Sequence, residues 1–499
     1  MATSSARLVL LGLLGSLLGC GRGSVSSPTL PTEQSPDASG PSSADDPDAQ
    51  PKTAPEDDVQ YLTFQLNDVS EATVGKLVDV LQSRGDGKRA RLAFAAGPLT
   101  LSQSDDELRA TIGRAFAVAR SQDVAVAIHI DDSMFWAGRT ELIADPNNVE
   151  WSDWAGTVYA HRVIGWAPIE LAPPICYESP TMRTEVRRVA KDVIGAAIAD
   201  EYLDLRAEGR GHLFAGVIAG WETRLDDDRQ PEVPFGYCSL THLGFSADKP
   251  PPDVDAALVS VVERWIALWS ESLRDAGVPP ATIYTHVALT HGELDVHAPA
   301  LVAFNAASRA GFSVYATQLP MFLSTVKTTL ANRGNPRWAM AEGANAMVGC
   351  KDQVSPISWE VYLGKLFNGG AALVNLFGWM GGVVPTAANA DGDGVAIRTN
   401  SDEAVAAYKK FLSGETLDPA DTAVPEIACS GSPFGGSGSA ETLQSLLQEL
   451  QEALQAAAQR GVDISSFAED MEELNALMQA GDLDGAIEKA RSILTAVNA

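Results

Sequence analysis

The sequence has few positive charges and no long apolar run. Its 499 residues include 36 lysines and arginines against 65 aspartates and glutamates, and the formal net charge is −29. An excess of this size makes nucleic acid and anionic lipid headgroups poor partners. A helix needs about 20 apolar residues to span a bilayer, and no segment of the chain has them. No transmembrane helix is therefore predicted.

The first 58 residues lack the features of a folded domain. Arg7 precedes an apolar run from Leu8 to Leu18, which has the length of a signal-peptide core. The run ends in Leu17-Leu18-Gly19-Cys20, which resembles the lipobox of bacterial lipoproteins. The resemblance implies a signal peptide at 1–19 and a lipid anchor on Cys20 at the cell envelope, as the chain's membrane attachment. The alternative is an ordinary secretory signal with an incidental cysteine.

Residues 20–58 are rich in Ser, Pro, Asp and Gly and have almost no large apolar side chains. They are predicted to form a disordered acidic tether, because such a segment buries too little surface to offset the entropy lost on ordering.

Cysteine is also scarce, with five residues in the chain. Beyond Cys20, the remaining four allow up to two disulfides in three pairings, or four free buried thiols. They are Cys176, Cys238, Cys350 and Cys429. None is spaced as a CxxC metal or redox pair, so no zinc site is predicted. No cofactor is expected either.

The string from Asn389 to Gly394 looks like half a calcium loop. It lacks the glutamate at the twelfth position, which is Asn400, and it is predicted to be an acidic turn.

From residue 59 to 420, short apolar runs alternate with helical stretches. Nearly continuous apolar runs indicate strands buried on both faces. Strands are predicted at Tyr61–Leu66, Arg91–Ala95, Val124–Ile130, Ala215–Gly220, Thr282–His286, Phe312–Thr317, Arg337–Ala341 and Ala371–Phe377. Helices are predicted at Asp105–Arg120, Arg183–Glu208, Asp253–Ala276, Pro299–Ala310, Ser358–Asn368 and Ser401–Leu412.

Eight strand-then-helix units predict an α/β fold, a closed (β/α)8 TIM barrel. The alternative is an open doubly wound sheet, but the first strand is followed by Asn67-Asp68 and not by a glycine-rich phosphate turn. A Gly/Ser-rich linker at 421–439 and a small helical module at 440–499, whose protein partner is unknown, are predicted to follow.

Two glutamates come directly after buried strands. Glu222 follows the fourth predicted strand and Glu342 the seventh. In a barrel, polar residues at the carboxyl ends of strands face the active-site mouth. A glycosidic bond can be cleaved by one protonated and one ionised carboxyl group acting together.

In these two positions the chain resembles clan A of the glycoside hydrolases, which are retaining (β/α)8 enzymes. The resemblance implies that Glu222 is the acid/base and Glu342 the nucleophile. It further implies a sugar platform at Trp379 in the string Asn375-Leu376-Phe377-Gly378-Trp379. A tyrosine near the nucleophile is usual in the clan, and Tyr315 on the sixth strand is the candidate. The clan usually has Asn where this chain has Trp221.

Further polar and aromatic residues lie at predicted strand ends or in the long loops beside them, where hydroxyl-bearing ligands would be bound. The predicted substrate-binding set is Trp221, Trp379, Asn375, His129, Asp131, Asp132, Trp136, Tyr284, His286 and Tyr315.

The sequence thus predicts a retaining glycoside hydrolase with a carbohydrate substrate. The competing hypothesis is a non-catalytic carbohydrate-binding or scaffolding lipoprotein on a degenerate barrel. Two converging carboxyl groups favour the enzyme, whereas a glutamate that points into the barrel wall favours the binding protein.

Overall fold

The computed structural model describes residues 59–417 except 67, 162, 165–166, 226–234, 289–299, 317–318, 347–354, 356, 378, 380–398 and 400. Beyond residue 417 it describes the helix at 483–498 and single positions between 450 and 477. Cys20, Cys350, Cys429 and the predicted signal, tether, linker and acidic turn lie outside the described residues.

Eight parallel strands form one sheet, and each of the eight predicted apolar runs overlaps one of them. The strands are β1 Gln60–Leu66, β2 Ala90–Leu99, β3 Ala125–Ile130, β4 Phe214–Ala219, β5 Ile283–Thr285, β6 Gly311–Ser313, β7 Trp338–Gly343 and β8 Ala371–Leu376. Their spatial order is β5-β4-β3-β2-β1-β8-β7-β6, so consecutive strands are neighbours and β8 pairs with β1.

Backbone hydrogen bonds also join β5 to β6. Thr285 N donates to Arg309 O at 3.0 Å, and Val287 N donates to Gly311 O at 3.0 Å. Ser313 N returns a bond to Val287 O at 2.9 Å. These bonds bring the two ends of the sheet together, and the predicted (β/α)8 barrel is confirmed.

Helices pack around the sheet. They are α1 Glu71–Leu81, α2 Asp105–Gln122, α3 Pro180–Arg188 with a π-helical turn Val189–Gly195 and its continuation Ala196–Ala207, α4 Val254–Asp275, α5 Leu319–Met321 with a π-helical turn Phe322–Val326 and Lys327–Asn332, α6 Trp359–Asn368 and α7 Asp402–Leu412. A further helix, α8 Leu483–Asn498, belongs to the C-terminal residues. Most begin at a side-chain cap. At α2 this is a full capping box, in which Ser104 and Glu107 satisfy each other's backbone N–H groups.

One predicted helix does not form. The segment Pro299–Ala310 contains a short 3-10 turn, Ala300–Ala303, followed by non-helical turns. Asn305 accounts for part of this, because its side chain accepts from Ala307 N at 2.9 Å and from Ser308 Oγ at 3.0 Å. An asparagine that bonds the backbone two residues ahead competes with helical hydrogen bonding.

The alternation of strand side chains divides the core into two layers. Large apolar side chains face outward to the helices. The inward layer consists mainly of alanines, with Tyr61, Ile218, Tyr284 and Leu373 filling the remaining space. Tyr284 therefore lies in the barrel interior, only 2% exposed, and its predicted place in the substrate site is wrong.

Two long loops follow β3 and β4, at the end of the barrel where the strands finish. They contain the short helices Thr140–Ile143 and Tyr237–His242, and a small antiparallel pair at 163–164 and 167–170. A disulfide between Cys176 and Cys238 links the two loops, which is one of the pairings that the sequence left open.

The C-terminal residues that the structure describes have an apolar cluster of their own. Leu450, Leu474 and Ile493 are among its buried members, and no residue of the barrel belongs to it. None of the helices in the described ranges is long and apolar enough to cross a bilayer.

Candidate active site

Glu222 and Glu342 stand at the mouth on opposite sides of β5 and β6. Glu342 is the fifth residue of β7 and is 8% exposed. Glu222 follows β4 after a sharp turn in which Gly220 has φ 119° and Glu222 itself φ 52°. Positive φ is rare for a glutamate, so neighbouring contacts must hold this turn.

Asp132 provides those contacts. It accepts from Trp221 N at 3.1 Å, Thr223 Oγ1 at 2.6 Å and Trp265 Nε1 at 3.0 Å. With 1% exposure it has no surface left for a ligand, and its predicted place in the substrate site is wrong. Asp132 instead fixes the backbone on both sides of Glu222.

Asp131 is also structural. Its carboxylate accepts backbone N–H groups from Ser133, Met134 and Phe135 at 3.2, 2.8 and 2.5 Å. Burial, followed by the charge of Asp132, raises the pKa of Asp131 to about 7. The prediction that Asp131 binds substrate is corrected, because the side chain closes the turn after β3.

The strand β6 and its extension reach both glutamates. Ser313 Oγ lies 2.6 Å from Glu222 Oε1, and the Tyr315 hydroxyl donates to Glu342 Oε1 at 2.7 Å. Side chains two residues apart in an extended chain point to the same side. The two carboxyl groups are therefore held side by side. Tyr315 occupies the place beside Glu342 that the sequence predicted.

Glu342 has a perturbed acidity. Burial, followed by the negative charge of Glu222, raises its pKa to about 8. Hydrogen bonds from the Tyr315 hydroxyl and the Trp221 side chain act in the opposite direction. The carboxyl groups thus influence each other directly, and one of them retains a proton near neutral pH.

The two predicted histidines lie beneath the glutamates. His286 Nδ1 is 3.2 Å from Gly220 O, and its Nε2 is 2.8 Å from Ser313 Oγ. His129 lies between Gly220 O, 3.3 Å from Nε2, and Gln65 Oε1, 3.1 Å from Nδ1. Burial is the main cause that lowers both pKa values to about 3, so both rings are neutral. Their predicted contact with substrate is corrected to a supporting position below it.

Asn375 belongs to the same buried layer. It is fully buried, and its amide donates to Gln65 Oε1 at 3.1 Å and to Ala341 O at 2.8 Å. Its predicted place in the substrate site is wrong, because it cross-links β8 to β1 and β7 inside the barrel.

The predicted tryptophans separate into two groups. Trp221 is half-buried beside His129, at a ring-centroid distance of 5.6 Å. Trp136 and Trp379 are 1% and 0% exposed. Trp136 Nε1 donates to Pro173 O at 2.9 Å, and the Trp379 ring packs edge-on against Phe64 at 4.8 Å. A sugar platform needs an open ring face, so the predictions for these two residues are wrong.

Three residues of the site were missed in the sequence: Ser313, Gln65 and Phe135. Ser313 lies two residues before Tyr315 in the same predicted strand, and this spacing is the signal that identifies it. Phe135 is half-buried, and its ring centroid lies 5.8 Å from that of Trp221. Nothing in the sequence distinguishes Phe135 from the other aromatics of its loop.

Among the residues that the structure describes, Cys176, Cys238 and His242 form a close group of potential metal-binding side chains. Two of its three members are joined in the disulfide, so their sulfurs are not free thiolates.

Comparison with known proteins gives distant structural likeness only. No protein-family model and no curated protein sequence matches the chain. The catalytic domain of beta-amylase from Paenibacillus polymyxa is 10% identical with a TM-score of 0.47, over 72% of this chain and 99% of that one. The catalytic domain of the GH26 endo-beta-1,4-mannanase from Bacillus sp. JAMB-750 is 14% identical with a TM-score of 0.36, over 76% and 89%.

A D-psicose 3-epimerase from Clostridium cellulolyticum H10 is 9% identical with a TM-score of 0.33, over 71% of this chain and 96% of that chain. All three TM-scores are below 0.5. The fold therefore rests on the strand order and hydrogen bonds of this chain.

Proposed function

We propose that the chain is a retaining glycoside hydrolase in which Glu342 is the nucleophile and Glu222 the acid/base. The observation that carries the proposal is the pair of carboxyl groups, placed at one mouth by β4 and β7. Two side chains, Ser313 at the end of β6 and Tyr315 two residues later, hold them side by side. Each glutamate is bonded to a polar side chain at the mouth, which supports this proposal over a degenerate binding barrel.

The surroundings of the two groups support different roles. Glu342 accepts hydrogen bonds from Tyr315 and Trp221, and donors of this kind stabilise a carboxylate. The Glu222 charge that raises the pKa of Glu342 is absent when Glu222 holds the proton. The hydrogen bonds from Tyr315 and Trp221 then favour the ionised form of Glu342, which is the form that a nucleophile needs.

The chemistry follows from this distribution. Glu342 attacks the anomeric carbon while Glu222 donates its proton to the departing glycosidic oxygen, and a glycosyl ester forms on Glu342. Glu222, now ionised, takes a proton from water as that water attacks the same carbon and frees Glu342. Two displacements leave the configuration unchanged.

The substrate in this proposal is a carbohydrate. Trp221 and Phe135 are half-exposed and contact each other beside the carboxyl pair. Both rings pack against Met134 and Leu171, and a partly exposed aromatic ring can contact the apolar face of a pyranose.

The proposal is tested by replacing each glutamate separately. Glu222→Ala should slow cleavage of a poor leaving group by roughly 10²- to 10⁴-fold and of an activated aryl glycoside much less. Azide should restore turnover and give a glycosyl azide of retained configuration. Glu342→Ala should abolish turnover for every substrate, and azide should give the inverted product.

A matched control is Glu150→Gln, since Glu150 is another buried glutamate and burial raises its pKa to about 7. It should leave the rates with both classes of leaving group unchanged. The reverse azide pattern would exchange the two roles, and full activity of both alanine variants would refute the proposal.

A further inference from the structure

A chain of polar contacts runs from Glu222 into the barrel. Glu222 Oε1 lies 2.6 Å from Ser313 Oγ, Ser313 Oγ lies 2.8 Å from His286 Nε2, and His286 Nδ1 lies 3.2 Å from Gly220 O. Ser313 and His286 are both fully buried. The hydrogens in the contacts of these two residues therefore belong to the groups that make the contacts.

The innermost contact, between Gly220 O and His286 Nδ1, determines which nitrogen of His286 carries hydrogen. Gly220 O is a carbonyl oxygen and can only accept, so the hydrogen in its contact with His286 belongs to Nδ1. The buried ring is neutral, since burial lowers the pKa of His286 to about 3. A neutral imidazole with hydrogen on Nδ1 has a bare Nε2, which can only accept.

The bare Nε2 of His286 in turn determines how the Ser313 hydroxyl is bonded. Ser313 has one hydroxyl hydrogen and donates it in a hydrogen bond to the bare Nε2 of His286. The Ser313 oxygen then has no hydrogen left for Glu222, yet it lies 2.6 Å from Glu222 Oε1. Two oxygens at this distance share a hydrogen, and it must belong to the Glu222 carboxyl group.

We propose that Ser313 and His286 are positioning residues that keep the acid/base proton on Glu222 before the glycosidic bond is cleaved. This inference rests on the proposed function and names residues that support its acid/base. His286 acts only through Ser313, because its acceptor nitrogen draws the serine hydroxyl away from Glu222.

The same contacts serve the second half of the reaction. Once Glu222 has given up its proton, the Ser313 hydroxyl turns from His286 to the new carboxylate. Ser313 and His286 neither gain nor lose a proton in this step. One rotating hydroxyl thus accommodates both states of Glu222. When water restores the proton, the hydroxyl turns back to His286.

Other titratable groups surround this chain on every side. Glu342 and Tyr315 lie on β7 and after β6, His129 lies on β3, and Asp132 holds the turn that carries Glu222. All four are retained in the variants below, so their influence cancels in each comparison.

The kinetic test compares two substitutions of His286. His286→Leu removes the acceptor and frees Ser313 to donate to ionised Glu222 permanently. The alkaline limb of kcat/KM for a poor leaving group should then move to lower pH by about one unit or more. His286→Gln keeps an N–H for Gly220 O and an oxygen for Ser313, and it should leave the limb in place.

Two controls separate positioning from a general structural effect. With an activated leaving group, which needs little protonation, His286→Leu should not shift the limb. In a Ser313→Ala background, His286→Leu should cause no additional shift, because the coupling passes through the serine hydroxyl. A shift that persists without Ser313 would overturn the relay.

A second measurement needs no activity, and its readout is taken on the wild type. Nitrogen-15 NMR of the wild-type histidines, with the His286 signal assigned by its loss in His286→Gln, reports which ring nitrogen carries hydrogen. Nδ1 should be protonated and Nε2 bare between about pH 5 and 8. Hydrogen on Nε2 would overturn the proposal. A wild type that cleaves no glycoside but has the expected tautomer would instead refute the hydrolase.

Discussion

Glu222 has the most constrained backbone among the polar residues at the mouth. Its φ of 52° costs of the order of 1–3 kcal/mol for a side chain of this kind. Gly220, two residues earlier, has φ 119°, and a Cβ there would lie 3.0 Å from Thr223 Oγ1. The three donors bound by Asp132 offset this strain, and as a result the carboxyl group of Glu222 is turned toward Glu342.

Tyr315→Phe is predicted to impair the nucleophile. The substitution removes the hydroxyl that donates to Glu342 at 2.7 Å and so destabilises the ionised form. The pKa of Glu342 should rise, the acidic limb of the kcat/KM profile should move to higher pH, and kcat/KM should fall by about 10- to 100-fold. The measurement is a pH–rate profile on an aryl glycoside.

Tyr408→Phe is the matched control. Tyr408 is equally buried and donates to the Thr399 carbonyl at 2.9 Å, in contact with neither glutamate in the described part of the chain. Its removal should leave the acidic limb unchanged. An unshifted limb in Tyr315→Phe would show that the tyrosine does not support Glu342.

At this scale the sequence predicted that the glutamates and Tyr315 lie at strand ends, but it did not predict the surroundings of most other polar residues. An apolar run followed by a glutamate marks a strand end, whatever the surrounding fold. Whether His129, Asp132 or Asn375 faces ligand or protein depends on the depth of each residue inside the barrel. That depth is set by the stagger between strands, which no single strand encodes.

The two long loops after β3 and β4 are covalently linked and hydrogen-bonded to each other. The Cys176–Cys238 disulfide joins them, and Ser239 donates through its hydroxyl to the buried carboxylate of Glu150. Glu178, only 4% exposed at its side chain, bonds Arg264 of α4 at 2.7 Å. These contacts hold the mouth loops over the barrel.

Replacing both Cys176 and Cys238 with alanine should lower the free energy of unfolding. The sequence separation of 62 residues corresponds to a loop-closure contribution of about 4 kcal/mol, and measured contributions are often smaller. Calorimetry should show a lower Tm for the double variant.

A reductant provides the control for this prediction. It should lower the Tm of the wild type to that of the double variant and leave the variant unchanged. A wild type in which both cysteines react as free thiols would contradict the disulfide.

At the level of elements, the strands were predictable because a barrel strand is buried on both faces and is apolar throughout. The segment Pro299–Ala310 shows the limit of periodicity. Its apolar spacing fits a helix, but the side chain of Asn305 bonds the following turn, and β6 begins at Gly311 directly after it.

For the whole molecule, buried carboxyl groups make stability depend on pH. Burial is the largest cause that raises the pKa values of Asp131 and Glu150 to about 7 and of Glu342 to about 8. The folded state then binds more protons than the unfolded state between the ordinary carboxyl pKa of about 4 and these values. Stability should fall as the pH rises through this window.

Other carboxyl groups set the lower limit of the pH range in which the protein is most stable. Hydrogen bonds to Arg188 lower the pKa values of Asp105 and Glu185, so their contribution is lost in acid. Maximum stability is expected at about pH 4 to 4.5, where the two effects meet, measured as Tm across buffers of equal ionic strength. Glu150→Gln should flatten the slope between about pH 5 and 8, and a Tm that rises across this range would contradict the account.

Membrane attachment through Cys20 stays a prediction, as do the domain boundaries on either side of the barrel. The high negative charge is consistent with a surface that repels anionic lipid, so attachment would depend on the lipid itself. The strand order of the barrel, in contrast, was predictable from the alternation of strands and helices alone.

The central claim is that Glu222 and Glu342 form one two-carboxyl catalytic centre. The most direct measurement follows azide products of the two alanine variants by NMR, using an activated aryl glycoside. The account predicts a retained glycosyl azide from Glu222→Ala and an inverted one from Glu342→Ala. Unchanged hydrolysis in both variants, with no azide adduct from either, would contradict it.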